Sequence, residues 1–522
     1  MSGLVKKISV VSSLTILSRM LGLLRDILFF TCFGVSPIGG AFILAFTIPN
    51  LFRRMLGEGT LSSAFIPVYS ETEKKHSLAD AHNILNQVLT RLLVLLIVLS
   101  VAICTFSWIA SGYQWGDVAK WNNGLLLNSI IFPYVLFICL SAIMVGALQV
   151  HGKFFAGAFS PIILNLSMIG CLLAFKFYLG WKEIELAVAL CFAVLIGGVF
   201  QMVWPWVQLR VGNSWSWKCD FSTSVGTQKI KSLFLVGLFG AAVGQINIMV
   251  SRLLAYSLED EGALSYLFLS ARLIELPLGV FAISISTVFF PELSRAFTSR
   301  ENAAFEKSFA RGFRLTLGII LPAAVGLGLL SQLILRVLFQ WGKFGSGDVE
   351  IASRVLLISC FALPFYALAA YFVKAFHSKK EMGIPLRAAV LSFIVNIILS
   401  IIMMQYFGMY GLAWANVGSA FTQTCFLGWK LNNFTIKSFM KRDTFCLVSI
   451  FWATLVMFLF LWFFGDGSYF GEGKIKGILS LAIIIPVSVF IYGVTLFFAG
   501  FPEVTDFRQK IRLFRFNKRR QR

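Results

Sequence analysis

The residues best able to do chemistry in this sequence are arginines set inside long apolar runs. Arg19, Arg25 and Asp26 interrupt the first run, Arg53 and Arg54 close the second just after Pro49, and Arg272 and Glu275 lie in a later one. Arginine stays charged when desolvated, and its planar fork grips phosphate oxygens through two parallel N–H donors. Helical spacing sorts the group. Arg19 and Asp26 are seven residues apart and share one face, and Ser18 and Arg25 share another. Arg19 and Arg25 point about 120° apart on a straight helix. A bend near Gly22 would turn both toward one cavity. Glu275 follows Arg272 by three residues, an ion-pair spacing on a helix, so a purely structural pair stays open there. Asp26 likewise has the option of pairing with an arginine, and Arg54 at a run's end has the position of a side chain that snorkels to headgroups. With only Asp26 and Glu275 against several arginines, the set is net cationic. It suits an anionic, phosphate-bearing ligand.

The elements that must position these residues are membrane helices. The chain has 522 residues, 58% of them hydrophobic and 13% charged, against about 25% charged in a soluble domain. Its apolar residues come in runs of about 20, the length of a helix crossing the hydrocarbon core. Transmembrane β-strands are excluded as the main element, since they are about 10 residues of alternating polarity. Fourteen spans are predicted, near 8–34, 36–56, 82–111, 124–148, 156–178, 184–209, 229–257, 262–292, 312–340, 349–377, 383–405, 407–433, 442–465 and 475–500. Arg19 then lies roughly 16 Å into the first span and Arg272 at similar depth in the eighth. An arginine there costs at least about 2.5 kcal/mol unless it faces a cavity or a partner.

The net charge of +21 is read as a topology signal. With the N-terminus inside, Lys6, Lys7, Arg53, Arg54, Lys74, Lys75, Lys218, Lys229, Lys231, Arg295, Arg300, Lys307, Arg311, Lys379, Lys380, Lys437, Lys441, Arg442 and the tail from Arg508 all fall inside. That is roughly thirty basic residues against about five outside, so both termini are expected in the cytoplasm. The basic tail, 501–522, is read as lying on anionic lipid rather than on nucleic acid. The N-terminal run lacks a cleavage site and is read as a retained helix. Nine cysteines show no CxxC spacing and four histidines form no HExxH, so no metal site, disulfide framework or cofactor is expected.

One internal repeat is visible. LSSAFIPVYSE resembles ISISTVFFPELSR, with Ser62 against Ser286, Phe65 against Phe289, Pro67 against Pro291 and Ser70 against Ser294. The expected architecture is all-α and polytopic: a six-helix lobe over 1–212, a second over 225–434, the two facing a central cavity, and two added helices over 435–500. Paired repeats around a cavity are a transporter architecture.

The blocks SSLTILSRMLGLLRDILFFTCFG and AFTIPNLFRRMLGEGTLSSAFIPVYSE closely resemble the opening of the MurJ/MviN family. Similar matches occur at Ala147–Ile169, Ser270–Phe297, Leu338–Phe344 and Lys374–Ser400, so the resemblance runs to about residue 435. It implies a fourteen-helix flippase of the multidrug/oligosaccharidyl-lipid/polysaccharide exporter class in the bacterial inner membrane. The implied substrate is lipid II, the undecaprenyl-diphosphate-linked precursor of peptidoglycan. The implied substrate-binding residues are Arg19, Arg25, Arg53 and Arg272, supported by Ser18, Asp26, Arg54, Glu58 and Glu275. The chain departs from the family pattern in two places. Gly40 stands where relatives often carry an acidic residue, and 229–257 and 383–405 offer Gln245, Asn247 and Asn396 where some relatives have sodium-binding carboxylates.

The expected function is therefore lipid II flipping from inner to outer leaflet by alternating access, with membrane lipids and the cell-wall synthesis machinery as further partners. Two rivals stay open: an exporter of another anionic or lipid-linked substrate on the same fold, and a membrane-embedded enzyme of envelope glycans. The short outer loops, with Asp117, Glu183 and Asp348 in no catalytic motif, disfavour the enzyme.

Overall fold

The computed structural model describes residues 2–57, 60–112, 118–431, 443–465 and 473–503. The described residues are mostly helical, with no strand among them. The first helices are α1 (Ser2–Phe33), α2 (Pro37–Phe52), α3 (Thr60–Lys75), α4 (Leu78–Ser111), α5 (Val118–Ile131), α6 (Tyr134–Val150), α7 (Phe155–Cys171), α8 (Glu183–Asn213) and α9 (Val225–Ser257). There follow α10 (Ala263–Pro277), α11 (Ile283–Thr298), α12 (Asn302–Leu329), α13 (Ser331–Phe339), α14 (Ser346–Cys360), α15 (Leu363–Ser378), α16 (Gly383–Leu431), α17 (Thr444–Phe464) and α18 (Lys474–Phe498).

Among the described residues nine helices are long and apolar enough to cross a membrane, or ten if α5 and α6, bent by 42°, form one span. This is fewer than the fourteen expected, for physical reasons visible in particular helices. The spans expected at 383–405 and 407–433 are two helices that run together as α16 and count once there, meeting at a kink at Gly408, whose φ of 54° and ψ of −130° leave helical space. α2 is only 16 residues long and continues into a π-helical turn, Arg53–Gly57. α1 carries Lys6, Lys7, Arg19, Arg25 and Asp26 along its length. The solvent of these helices is lipid. In α4 only 22% of the most apolar window is buried inside the protein, and Leu95, Val98, Val101, Phe106 and Trp108 face outward. A soluble protein does not carry such a patch.

The chain divides into two compact units, Met1–Ser265 with Trp341–Gly345, and Tyr266–Gln340 with Ser346–Arg522. α9, which the repeat assigns to the second half, groups with the first unit. In that unit α1 packs along α7, α2 along α5, and α8 along both α6 and α7. Phe29, Phe30, Phe33 and Phe42 fill its interior, and Phe29 lies 4.9 Å from Phe33 and 5.5 Å from Phe42, ring centre to ring centre. Segment 214–224 is pinned to α4: Trp215 Nε1 donates to Asn86 at 3.0 Å, and Arg91 donates to the Ser222 carbonyl at 2.7 Å. Small residues set helix spacing in the second unit. A side chain at Gly312 would collide with the ring of Tyr371, whose hydroxyl donates to the Phe309 carbonyl at 2.9 Å.

The two added helices are built into the second unit. Cys446, Ile450, Met457 and Leu461 of α17 and Ile484, Tyr492 and Leu496 of α18 share one apolar cluster with Leu330, Leu333 and Val337. Tyr492 donates to the Gly318 carbonyl of α12 at 2.6 Å. The repeated sequence forms α3 and α11, each 16 residues long with its proline inside, and Phe65 and Phe289 are both buried.

Candidate functional site

α1 carries two arginines with opposite surroundings. Its apolar face is covered by α7, and Arg25 and Asp26 lie in that interior, 8% and 4% exposed. Arg25 donates to Asp26 Oδ1 from Nε at 3.0 Å and from Nη2 at 2.6 Å. Its Nη1 donates to Asn165 Oδ1 of α7 at 3.0 Å. Asn165 in turn donates through Nδ2 to the Ser18 carbonyl at 3.2 Å. A buried guanidinium is tolerable only with its donors occupied, and this one has a carboxylate and an amide. Spacing puts Asp26 on the face of Arg19; in the folded chain it pairs with Arg25.

Arg19, six residues earlier, is exposed. No hydrogen bond or ion pair joins its guanidinium to any described residue. The structure therefore separates the two arginines of α1: one is fixed between helices, and the other is presented.

Arg53 opens the π-helical turn after α2 and is partly buried, while Arg54 beside it is exposed. A π turn widens the helix and reorients the side chains it carries. Pro49, one turn earlier, takes away a backbone donor where the α-helix ends. In the second unit Arg272 of α10 donates from Nη1 to Glu275 Oε2 at 3.2 Å, with side chains 37% and 50% exposed. The expected i, i+3 pair forms, in a setting open enough to leave the arginine accessible. Glu58 lies outside the described residues.

Three polar arrangements were missed from sequence. Arg252 of α9 donates to the Thr47 hydroxyl of α2 in a short contact. Arg314 of α12 meets Asp443 at 2.7 Å and Glu503 at 2.6 Å. Asn165 is the third. The only available signal was a polar residue inside an apolar run, with nothing local to name its partner. Gly40 lies where a Cβ would meet Tyr256 and the Ser265 hydroxyl at ordinary contact distance. Ser265 is fully buried, and its hydroxyl has no partner among the described residues. In the second unit, Asn396 of α16 is fully buried and donates to Asn416 at 2.9 Å and Ser419 at 3.3 Å.

Outside the spans, Glu71 of α3 accepts from Lys229 of α9 and from Lys75, each at 2.7 Å. The Lys229 and Lys75 hydrogen bonds hold its carboxyl down at about 2.

An all-helical membrane protein in two units, with arginines set in its membrane helices, is a transporter by class. Solved structures agree. The chain is similar to a lipid II flippase MurJ in an inward closed conformation, with a TM-score of 0.75 and 26% identity over 93% of this chain and 98% of that one. It shares its fold with an inward-facing multidrug resistance MATE family transporter of the MOP superfamily, with a TM-score of 0.66, 14% identity, and 83% and 99% of the two chains covered. The model of the family described as lipid II flippase MurJ matches residues 29–471, and the chain belongs to that family. Similar relatives are the probable lipid II flippases MurJ of Vibrio cholerae, 32% identical over 81% of this chain and 82% of that protein, and of Bdellovibrio bacteriovorus, 33% identical over 80% and 79%.

Proposed function

We propose that the protein moves lipid II from the inner to the outer leaflet of the bacterial cytoplasmic membrane by alternating access. Both termini then lie in the cytoplasm, and the lipid is delivered to the cell-wall synthesis machinery outside. Family membership supports the substrate, and one observation supports the site: Arg19 is exposed on α1, the first expected span, with no hydrogen-bond or ion-pair partner among the described residues. A cation so placed is costly unless water or an anionic ligand meets it, and the diphosphate of lipid II is such a ligand. Arg272 supplies a second accessible guanidinium, and Arg53 and Arg54 a third position at the end of α2. The polyprenyl tail stays in the bilayer, and no covalent bond is made or broken.

Arg25 has a different part in this reading. Buried against Asp26 and Asn165, it fixes the turn of α1 that carries Arg19. The test is the fraction of lipid II reachable by a membrane-impermeant enzyme outside the cell, in cells relying on this protein. Arg19→Ala and Arg272→Ala should leave lipid II unexposed at normal protein level. Arg272→Lys should be impaired too, because a point charge lacks the bidentate fork. Wild-type exposure in all three variants would remove the arginines from the transport step.

A further inference from the structure

α1, the α6–α7 turn and the last turns of α8 line an open apolar groove of about 790 Å³ within the first unit. Val10 and Val11 form one wall, Phe154 and Phe155 a second, and Val207 and Val211 a third. Its single charged lining residue is Lys153. The turn that delivers Lys153 passes through Gly152 at a φ of 72°, a conformation glycine adopts without strain. The ammonium donates to Asn213 Oδ1 at 2.7 Å. It lies against the Cα of Gly212 on α8, in the space a Cβ there would take. Among the described residues no carboxylate is within ion-pair distance of Lys153. A neutral amide thus holds the cation at an apolar cavity, with its charge unbalanced and two of its three donors unused.

The neighbourhood has the chemistry of the headgroup level. Phe155 stacks on Phe159 at 5.3 Å, and Trp204 lies 5.5 Å from Phe159. The Arg210 guanidinium sits 5.8 Å from the Trp206 ring. Aromatic rings and basic side chains gather where a helix leaves the hydrocarbon. The orientation proposed above puts these helix ends at the cytoplasmic face, and the inference rests on that reading for its leaflet.

We propose that the pocket is a binding site for an anionic glycerophospholipid of the inner leaflet, with an acyl chain between α1 and α8 and the phosphate on the Lys153 ammonium. Basic pockets between membrane helices on the cytoplasmic side recognise anionic headgroups. The groove's volume is in the range of small-ligand sites, and its apolar walls suit an acyl chain. The site is distinct from the arginines of the transport reading, and its occupant is a resident lipid, not cargo.

The test uses the full-length protein in mixed micelles containing phosphatidylglycerol or phosphatidylcholine, with retained lipid counted by native mass spectrometry. The wild type should retain phosphatidylglycerol about fivefold more strongly than phosphatidylcholine, the preference one lysine near a membrane surface confers. Lys153→Gln should abolish the preference, and Val207→Trp, which fills the cavity, should lower retention of both lipids. Unfolding midpoints in phosphatidylcholine confirm that each variant is folded. Equal retention by wild type and Lys153→Gln overturns the proposal. So does displacement of phosphatidylglycerol by a long polyprenyl phosphate from the wild type but not from Val207→Trp, because the cavity is then a polyprenyl site. Lipid II exposure in cells, read separately, tests the transport reading, and neither result decides the other.

Discussion

Asn165 of α7 holds Arg25 of α1, accepting from its Nη1 at 3.0 Å in the interior between the two helices. The same amide donates to the Ser18 carbonyl, two helical turns earlier on α1. Asn165→Leu keeps the branching at Cγ but leaves the Arg25 donor with no acceptor in a site closed to water. The expected cost is about 1–3 kcal/mol of stability, seen as a lowered midpoint of thermal or denaturant unfolding in detergent. An unchanged midpoint would mean that water enters between α1 and α7 and satisfies the guanidinium.

Arg19 and Arg25 should respond differently to the same substitution. Arg19 is exposed and makes no hydrogen bond or ion pair with a described residue, so Arg19→Ala should leave the unfolding midpoint within the small range of surface substitutions, about 0.5 kcal/mol, and abolish lipid II exposure. Arg25→Ala takes the guanidinium away from the Asp26 carboxylate, which is 4% exposed. Breaking a buried pair from one side costs about 3–5 kcal/mol, so this variant should lose stability and protein level first. The double variant Arg25→Met with Asp26→Leu removes both charges and should recover much of that loss. Loss of exposure in the double variant at recovered stability would give Arg25 a direct part in substrate binding.

The sequence made the membrane helices and the accessible arginines legible because both are local facts. Apolar run length marks a helix, and an arginine inside the run marks a cost that something must offset. The Arg272–Glu275 pair was legible for the same reason, being set by helical spacing alone. The Arg25–Asp26 pair was not. Successive residues on a helix do not face each other, and only a long guanidinium curling back, held from the far side by Asn165, closes that contact. Asn165, Arg252 with Thr47, and Arg314 with its two carboxylates join residues more than a hundred positions apart. No local period encodes such pairings. The break within α16 was legible as a gap between two apolar runs, and it falls at Gly408, where the backbone leaves helical space.

The α3–α9 ion pair should be insensitive to mild acid. Glu71 is held at about 2 by its hydrogen bonds to Lys229 and Lys75. A depressed carboxyl contributes above its ordinary pKa, and the contribution fades only as the pH falls through the folded value. Crosslinking between cysteines placed on α3 and α9 should therefore be constant from neutral to mildly acidic pH and weaken with salt, since the pair is exposed. A fall in crosslinking near the ordinary glutamate range would show that the lysine contacts are not made in solution.

Arg314 should be the residue on which docking of the last two helices depends most. It is 14% exposed and meets Asp443, at the start of α17, and Glu503, just after α18, which are 12% and 9% exposed. One guanidinium thus bridges two carboxylates from the two ends of the added segment. Arg314→Ala removes the cation and leaves two acids repelling each other in a half-dry site, for an expected cost of about 3–5 kcal/mol. Arg314→Lys keeps the charge but cannot fork to both acids, and should fall between wild type and Ala. The loss should be local: hydrogen exchange should rise in α17 and α18 while α1–α8 keep their protection. Tyr492→Phe, which removes the bond to the Gly318 carbonyl at 2.6 Å, should cost only about 0.5–1.5 kcal/mol and leave that pattern intact. Equal protection of α17 and α18 in wild type and Arg314→Ala would mean that the apolar cluster alone holds these helices, with the ion pairs adding nothing to it.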